Sequence, residues 1–216
     1  MIDLHTHTLL SDGELVPSEH FRRALVKGYT VIGIADHVDF SNIEYVVEAG
    51  LKAKRENEWE IEVVAGVELT HIPPQKIGKI ASMAKRLGAE IVVAHGETLA
   101  EPVCEGTNHA SILSEDVDIL AHPGLIARED VELAKDMGIL LEVSARCGHN
   151  IANGHVVRLA EEVGAELVLN TDAHAPEDMI DDLFARKILM GAGLSEGRAE
   201  KVLRGDLALK EIIKDI

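Results

Sequence analysis

The sequence opens with Met1-Ile-Asp-Leu-His-Thr-His-Thr-Leu-Leu-Ser-Asp-Gly13, and this stretch sets a pattern that the rest of the chain repeats. A short apolar run leads directly into His5 and His7, and Asp12 follows in a Ser-Asp-Gly turn. Because alternate residues of a β-strand project from the same face, His5 and His7 can direct both imidazoles at one point. The stretch predicts a β-strand that ends in a metal chelate. A buried strand with two hydrogen-bonded structural histidines is the alternative.

Six further apolar runs, most of them rich in β-branched residues, each end beside a polar side chain. They cover residues 29–35, 61–67, 90–94, 117–121, 139–144 and 166–170. Helical patterns separate most of them, at residues 17–27, 42–58, 75–87, 129–137 and 154–163. Alternating strands and helices specify a parallel sheet. Since polar residues mark nearly every strand end, we expect a closed or nearly closed α/β barrel rather than an open doubly wound sheet.

Length and composition favour a single domain. A chain of 216 residues fits one α/β domain, and with only 3% aromatic residues its core must be built from Val, Ile, Leu and Ala. We expect residues 1–216 to form one domain, in which residues 1–175 make the barrel. Residues 176–216 would close the barrel, with two short helices on either side of residues 205–206.

The charge of the chain restricts its partners. A formal net charge of -17 disfavours binding of long nucleic acid, but a small phosphorylated substrate remains possible because bound cations can reverse the local field.

The cysteines and the hydropathy of the chain bear on its compartment. Cys104 and Cys147 show no disulfide or CxxC spacing, which indicates free thiols. Neither a signal peptide nor an apolar run of membrane-spanning length is present, so we expect a cytoplasmic protein without a membrane partner. The sequence does not predict the oligomeric state.

Histidines and carboxylates occupy the predicted strand ends. Together with Asp12, the set contains His5, His7, His37, Glu68, His95, His122, Asp172 and His174. The ends of parallel barrel strands open on one face, so these side chains should converge there. A His/Asp/Glu set without cysteine suits Zn, Mn or Fe, and nine donors predict two or three divalent ions. Clustered cations can activate water and stabilise charge at phosphorus, which predicts a hydrolase.

The order of these motifs resembles a known family. The matching segments are Asp3-Leu-His-Thr-His7, Ser11-Asp-Gly13, Ile34-Ala-Asp-His37, Gly66-Val-Glu68, Ala94-His-Gly96, Ala121-His-Pro-Gly124 and Asn170-Thr-Asp-Ala-His174. They resemble the successive motifs of the PHP family, named for polymerase and histidinol phosphatase domains. The resemblance implies a distorted (β/α)7 TIM-like barrel of PHP type, a trinuclear metal centre at the carboxyl ends of the strands, and phosphoesterase activity.

The resemblance also implies how the ligands are shared. The first ion would be held by His5, His7, Glu68 and Asp172. Glu68 would bridge to a second ion that is bound by His95 and His122. The third ion would be held by Asp12, His37 and His174. Some family members carry a histidine near the position of Asp12, which leaves the metal preference of the third site open.

We assign catalytic roles to Glu68, Asp36 and Arg146. Asp36 could orient a metal-bound water or an imidazole, or could cap the turn that follows it. Arg146, just after the sixth strand, has the planar donors that suit a bidentate phosphate contact, and a surface ion pair is its alternative. Arg128 is the second candidate for this contact. Three further histidines lie close in sequence to strand ends, where ordinary loop or helix roles are also open: His71, His149 and His155.

Together these features predict a metal-dependent phosphoesterase that hydrolyses a small phosphorylated substrate with a metal-activated hydroxide. One alternative is a metal-binding module without turnover. Another is an amidohydrolase-like metal hydrolase, a class that typically carries a bridging lysine where this chain has His95. Specificity would reside in the loops at residues 104–114 and 146–153.

Overall fold

Seven parallel β-strands form the centre of the fold in the computed structural model, which describes residues 1–205. In order around the sheet they are β1 (Ile2–Thr6), β2 (Val31–Ile34), β4 (Glu62–Leu69), β5 (Ile91–His95), β6 (Ile119–Ala121), β7 (Leu140–Ser144) and β8 (Leu167–Asn170). A two-residue strand, β3 (His37–Val38), pairs with the end of β4. Every pair is parallel, as the alternating pattern predicts.

The first and last strands meet and nearly close the sheet. A parallel bridge joins Thr6 to Ala173, and the backbone N–H of His7 donates to the carbonyl of Ala173 at 2.9 Å. The N–H of Asp172 donates to the carbonyl of His5 at 2.9 Å. These contacts make the sheet a nearly closed barrel, so the expected TIM-like architecture is confirmed.

Helices follow most of the strands. They are α1 (Pro17–Val26), α2 (Ile43–Arg55), α3 (Ile77–Leu87), α4 (Thr107–Ile112), α5 (Arg128–Met137), α6 (Asn153–Val163), α7 (Asp182–Gly191) and α8 (Glu196–Arg204). The sequence pattern did not delineate the short helix α4 or the helix α7. Of the two short helices expected around residues 205–206, the first is α8 and the second lies outside the described residues. Among residues 1–205, no helix is both long and apolar enough to cross a lipid bilayer.

Apolar side chains fill both faces of the barrel wall. The interior cluster draws on all seven barrel strands: Leu4, Val31, Ala35, Val64, Ile91, Val93, Ile119, Ala121, Leu140 and Val168. The alternate residues, such as Val92 and Leu120, pack outward in a cluster that also includes helix residues of α2 to α8. Because each strand is buried on both faces, its sequence is a continuous apolar run rather than an alternating one.

The interior becomes polar toward the carboxyl ends of the strands. Leu140, Glu142 and Ser144 lie on the same face of β7, and all three are buried. Val168 and Asn170 repeat this change on β8. The barrel therefore has an apolar floor and a polar upper layer, and the candidate site rests on that layer.

Gly124, in the turn after β6, allows two loops of the site face to approach closely. Its φ is +61°, and a Cβ built on it would lie 1.9 Å from the carbonyl oxygen of Glu97. Gly124→Ala should therefore lower the free energy of unfolding by at least ~1 kcal/mol, because a strained conformation and a backbone clash add. Urea unfolding of the metal-free protein measures this change.

Gly197→Ala is the matched control, since Gly197 lies in α8 with an open space around its hypothetical Cβ. It should leave stability unchanged or raise it by up to about 1 kcal/mol. Equal unfolding midpoints for the two variants would contradict the tight approach at Gly124.

Candidate metal centre

The four side chains expected around a first ion face one another at the carboxyl ends of β1, β4 and β8. Nε2 of His5 lies 3.4 Å from Oε1 of Glu68 and 3.8 Å from Oδ1 of Asp172. Nε2 of His7 lies 3.1 Å from the same oxygen of Asp172 and 3.7 Å from Oε2 of Glu68. Ligands held about 2 Å from one ion lie roughly 3–4 Å from each other, so these spacings fit shared coordination.

Asp12, His37 and His174 form a second group on the outer side of His7. Oδ1 of Asp12 lies 3.5 Å from Nε2 of His37 and 3.3 Å from Nε2 of His174. The ring of His7 stacks on that of His174 with centroids 4.1 Å apart. Burial alone would raise the pKa of Asp12, but a hydrogen bond from His174 and the charges of His37 and His174 lower it to about 2. The carboxylate is thus ionised and available to a cation.

The Nδ1 atoms of His37 and His174 both make hydrogen bonds, which leaves Nε2 of each ring as the atom that could bind a metal ion. Nδ1 of His37 donates to the hydroxyl of Thr70 at 2.6 Å, and it also lies 2.7 Å from Oε2 of Glu68 without hydrogen-bond geometry. Nδ1 of His174 lies 2.9 Å from the carbonyl of Asp172 and 2.8 Å from Nη1 of Arg146. In both rings, Nε2 is therefore the nitrogen that faces Asp12 and that could bind a cation once it is deprotonated.

The third expected group is only partly assembled. Nε2 of His122 lies 3.6 Å from Oε1 of Glu68, and the rings of His122 and His95 meet edge to face at 4.5 Å. Nε2 of His95, however, lies 3.2 Å from Oε2 of Glu101, a residue that was not among the predicted ligands. The structure therefore places Glu68 and His122 together and places His95 beside them, facing a loop carboxylate.

Several buried polar atoms at the centre have no hydrogen-bond partner among the described residues. They are Nε2 of His5, both ring nitrogens of His7, both carboxylate oxygens of Glu68 and Nδ1 of His122. Buried polar atoms are rarely left unsatisfied, and a missing ion is one standard cause. Imidazole nitrogens around a buried carboxylate are a donor set that suits a divalent cation, so the residues fit the metals that the sequence predicts.

Burial and neighbouring charges set the protonation states that ligands require. Burial lowers the pKa of His7 to about 4, which keeps its imidazole neutral near pH 7. Burial by itself would raise the pKa of Glu68, but the positive charge of His5 and His37 holds it well below its usual range. The centre thus combines a neutral imidazole at His7 with an ionised carboxylate at Glu68, and metal binding would displace the protons of His5 and His37.

Glu142, which was not predicted from the sequence, supports the centre from inside the barrel. Its Oε2 accepts hydrogen bonds from Nδ1 of His5 at 2.7 Å and from the amide of Asn170 at 2.9 Å. Its Oε1 accepts from the backbone N–H of His122 at 3.2 Å. A carboxylate that binds the far nitrogen of a ligand histidine fixes the ring and its tautomer. The sequence carried one signal for this role. Glu142 is a charged residue in the otherwise apolar strand β7, and it lies on the same face of that strand as Leu140, which faces the barrel interior.

Asp36 is buried and holds the loop that carries Asp12. Its Oδ1 accepts from the backbone N–H of Thr8 at 2.8 Å and from the hydroxyl of Ser11 at 2.7 Å. Its Oδ2 accepts from the hydroxyl of Thr8 at 2.8 Å. Its hydrogen bonds therefore go to the β1 loop, rather than to an imidazole or to the turn after Asp36.

Arg146 reaches the centre, whereas Arg128 does not. Nη1 of Arg146 donates to the carbonyl of Asp172 at 2.9 Å, and its Nε lies 3.6 Å from the Asp172 carboxylate. Arg128 pairs instead with Glu162 at the surface.

The three further histidines near strand ends have different partners. Nε2 of His155 donates to the carbonyl of Ile126 at 2.8 Å, whereas His71 and His149 both lie close to the carboxylate of Glu101.

The sequence also matches known proteins. A family model described as the PHP domain matches residues 3–162. An uncharacterised protein of Methanocaldococcus jannaschii is 54% identical over 204 residues, covering 93% of this chain and 94% of the relative. A protein of Thermoanaerobacter sp. strain X514, named a probable phosphatase, is 27% identical over 100% of this chain and 95% of its own length.

Two solved structures share the fold. A chain in the cryo-EM structure of archaeal ribonuclease P with mature tRNA superimposes with a TM-score of 0.69 at 18% identity, covering 99% of this chain and 90% of that one. A protein of Listeria monocytogenes provisionally named a histidinol phosphatase superimposes with a TM-score of 0.60 at 12% identity, covering 83% and 97%. The match of the PHP-domain model to residues 3–162, more than half of the chain, establishes that the chain belongs to the PHP family.

Proposed function

We propose that the protein is a metal-dependent phosphoesterase that hydrolyses a small phosphorylated substrate. The observation that carries the proposal is the set of buried donor atoms without hydrogen-bond partners around Glu68, at the open end of the barrel. Membership of the PHP family and the relative named a probable phosphatase support the same reaction class. In α/β barrels this end of the strands is where active sites lie.

The proposed ligand allotment follows the three groups. His5, His7, Glu68 and Asp172 would hold one ion, and Glu68 would be shared with a second ion at His95 and His122. Asp12, His37 and His174 would hold the third. Bound divalent ions of the Zn, Mn or Fe type supply Lewis acidity, which activates water and stabilises charge on phosphate oxygens.

Other residues of the chain position these ligands and the substrate. Glu142 keeps a proton on Nδ1 of His5, so that Nε2 faces the cation side. Asp36 keeps the β1 loop folded, and this loop carries Asp12. Arg146 uses Nη1 on the Asp172 carbonyl and on Nδ1 of His174, and its Nη2 group would be available to a phosphate oxygen.

A compact substrate fits the charge of the protein. The net charge of -17 opposes a long polyanion, while Arg146 provides a local cation beside the centre. We therefore propose a phosphorylated metabolite or a short nucleotide as the substrate class.

The cysteines bear on the compartment of the protein. Cys104 and Cys147 are exposed free thiols, which agrees with a reducing compartment, and we propose the cytoplasm.

Loss of a central ligand should abolish hydrolysis. The protein reconstituted with Mn²⁺ or Zn²⁺ should cleave p-nitrophenyl phosphate or an ester in a phosphometabolite panel. Glu68→Ala or His122→Ala should reduce kcat/KM about a hundredfold or more, because charge stabilisation at the reacting phosphate is lost. His109→Ala is the control, since His109 pairs with Asp130 at the surface. A protein that binds metal but leaves the whole panel uncleaved would be a metal-binding module, and the enzyme proposal would fail.

Glu142 should control metal affinity without touching the metal. Three N–H groups, from His5, Asn170 and His122, donate to the Glu142 carboxylate. In Glu142→Gln one of the two accepting oxygens becomes an amide N–H₂ group, which cannot accept, so His5 loses its fixed orientation. Isothermal titration with Zn²⁺ should show roughly 10- to 100-fold weaker binding. Glu129→Gln, an exposed change of the same type in α5, should bind as the wild type does. Unchanged Zn²⁺ affinity in a folded Glu142→Gln protein would contradict the positioning role.

Arg146 should act on substrate binding. Arg146→Gln should raise KM for a phosphate monoester about tenfold, the size of one charge-assisted contact, when it is assayed at a saturating metal concentration. Arg128→Gln removes the same charge from a surface pair and should leave KM unaltered. Equal KM values for the two variants would remove Arg146 from the substrate site.

A further inference from the structure

A second cluster of ligand-type side chains adjoins the centre on the side of the β5 loop. Glu101 lies in the loop at residues 96–106, and its Oε2 is 3.2 Å from Nε2 of His95 and 3.2 Å from Nε2 of His71. Its Oε1 is 3.5 Å from Nε2 of His149. Of these four residues, only His95 belongs to the nine proposed ligands, so the cluster adds three groups that the proposed function does not use.

Three of these side chains have the spacing of a cation site. His71, His95 and Glu101 each offer a donor atom within 4.8 Å of the other two. Nδ1 of His95 is hydrogen-bonded to the carbonyl of Gly96 at 3.1 Å, so Nε2 is the nitrogen that could bind a cation, and it faces Glu101. Two imidazoles and a carboxylate form a common donor set for a divalent transition metal.

The backbone of His71 gives an independent indication. His71, His122 and Asp172 are the non-glycine residues with positive φ within residues 1–205, at 52°, 28° and 52°. Such conformations are costly for residues with a side chain and concentrate at functional sites. The other two are proposed ligands. Since the His71 side chain is 43% exposed, core packing does not explain its strained backbone.

The loop that carries Glu101 is anchored next to the centre. The hydroxyl of Thr98 and Nδ1 of His149 are hydrogen-bonded at 2.7 Å, and the ring of His149 stacks on His122 with centroids 4.2 Å apart. The backbone N–H of Glu97 donates to Asn108 at 2.9 Å, and the Asn108 backbone N–H donates to the Glu97 carboxylate at 2.9 Å. Glu101 is therefore presented to His95 from an anchored loop.

We infer that Glu101 is a loop-borne metal ligand, which binds the divalent ion at His95 together with His71. This inference rests on the proposed function, because it requires a metal at His95. It adds protein donors on the loop side of that ion, and it makes the loop at residues 96–106 part of the metal centre.

Titration of the metal-free protein with Mn²⁺ alone tests the inference. Isothermal titration of Glu101→Gln and of His71→Gln should show one equivalent of Mn²⁺ bound about tenfold or more weakly, with the other equivalents unchanged. Glu105→Gln is the matched control, because it removes the same charge from an exposed position of the same loop. Its Mn²⁺ isotherm should match that of the wild type.

The outcomes separate this inference from the proposed function. A wild-type protein that binds no Mn²⁺ would refute the proposed function itself. A wild type that binds two or three equivalents, with Glu101→Gln and His71→Gln identical to it, would refute only the inference. A loss of the same size in Glu105→Gln would also refute it, because it would show an effect of net charge rather than of ligation. Metal-free Glu101→Gln should unfold at the wild-type temperature, since Glu101 is 39% exposed.

Discussion

The burial of Glu68 among imidazoles is the interaction on which the site depends. Its side chain is fully buried and neither oxygen has a hydrogen-bond partner among the described residues, an arrangement that is costly for an isolated carboxylate. The nearby charges of His5 and His37 offset that cost and hold the pKa of Glu68 low. The histidines are close enough to do so because the carboxyl ends of β1, β3 and β4 meet at one end of the barrel. A cation at this position would complete the compensation.

The same polar layer also holds the barrel together where its backbone pairing is weakest. Between β1 and β8 there is one isolated bridge, but Oδ1 of Asn170 accepts from the backbone N–H of Leu4 at 2.9 Å. The amide of Asn170 then donates to Glu142, which orients His5. Asp3 adds to this seam by accepting hydrogen bonds from Thr171. Barrel closure and ligand orientation are therefore coupled through one network of buried hydrogen bonds.

Much of the fold was predictable because its signals are local. All seven barrel strands were predicted, since a strand buried on both faces appears as a short apolar run with β-branched residues. The helix α4 was missed because its six residues include Thr107, Asn108 and Ser111, whose side chains are polar yet buried. β3 was missed because two residues give no periodicity, and only its pairing with β4 defines it.

The sequence by itself determined which residue types stand at the strand ends, and this was enough to predict a parallel barrel with a His/Asp/Glu cluster on one face. Only the tertiary structure decided which of these side chains meet. It added Glu142 from within β7 and Glu101 from the β5 loop, and it separated Arg146 at the centre from Arg128 at the surface. The reason is physical: strand position follows from local periodicity, whereas contacts between His5 and Asp172, or His95 and Glu101, depend on barrel closure and loop path.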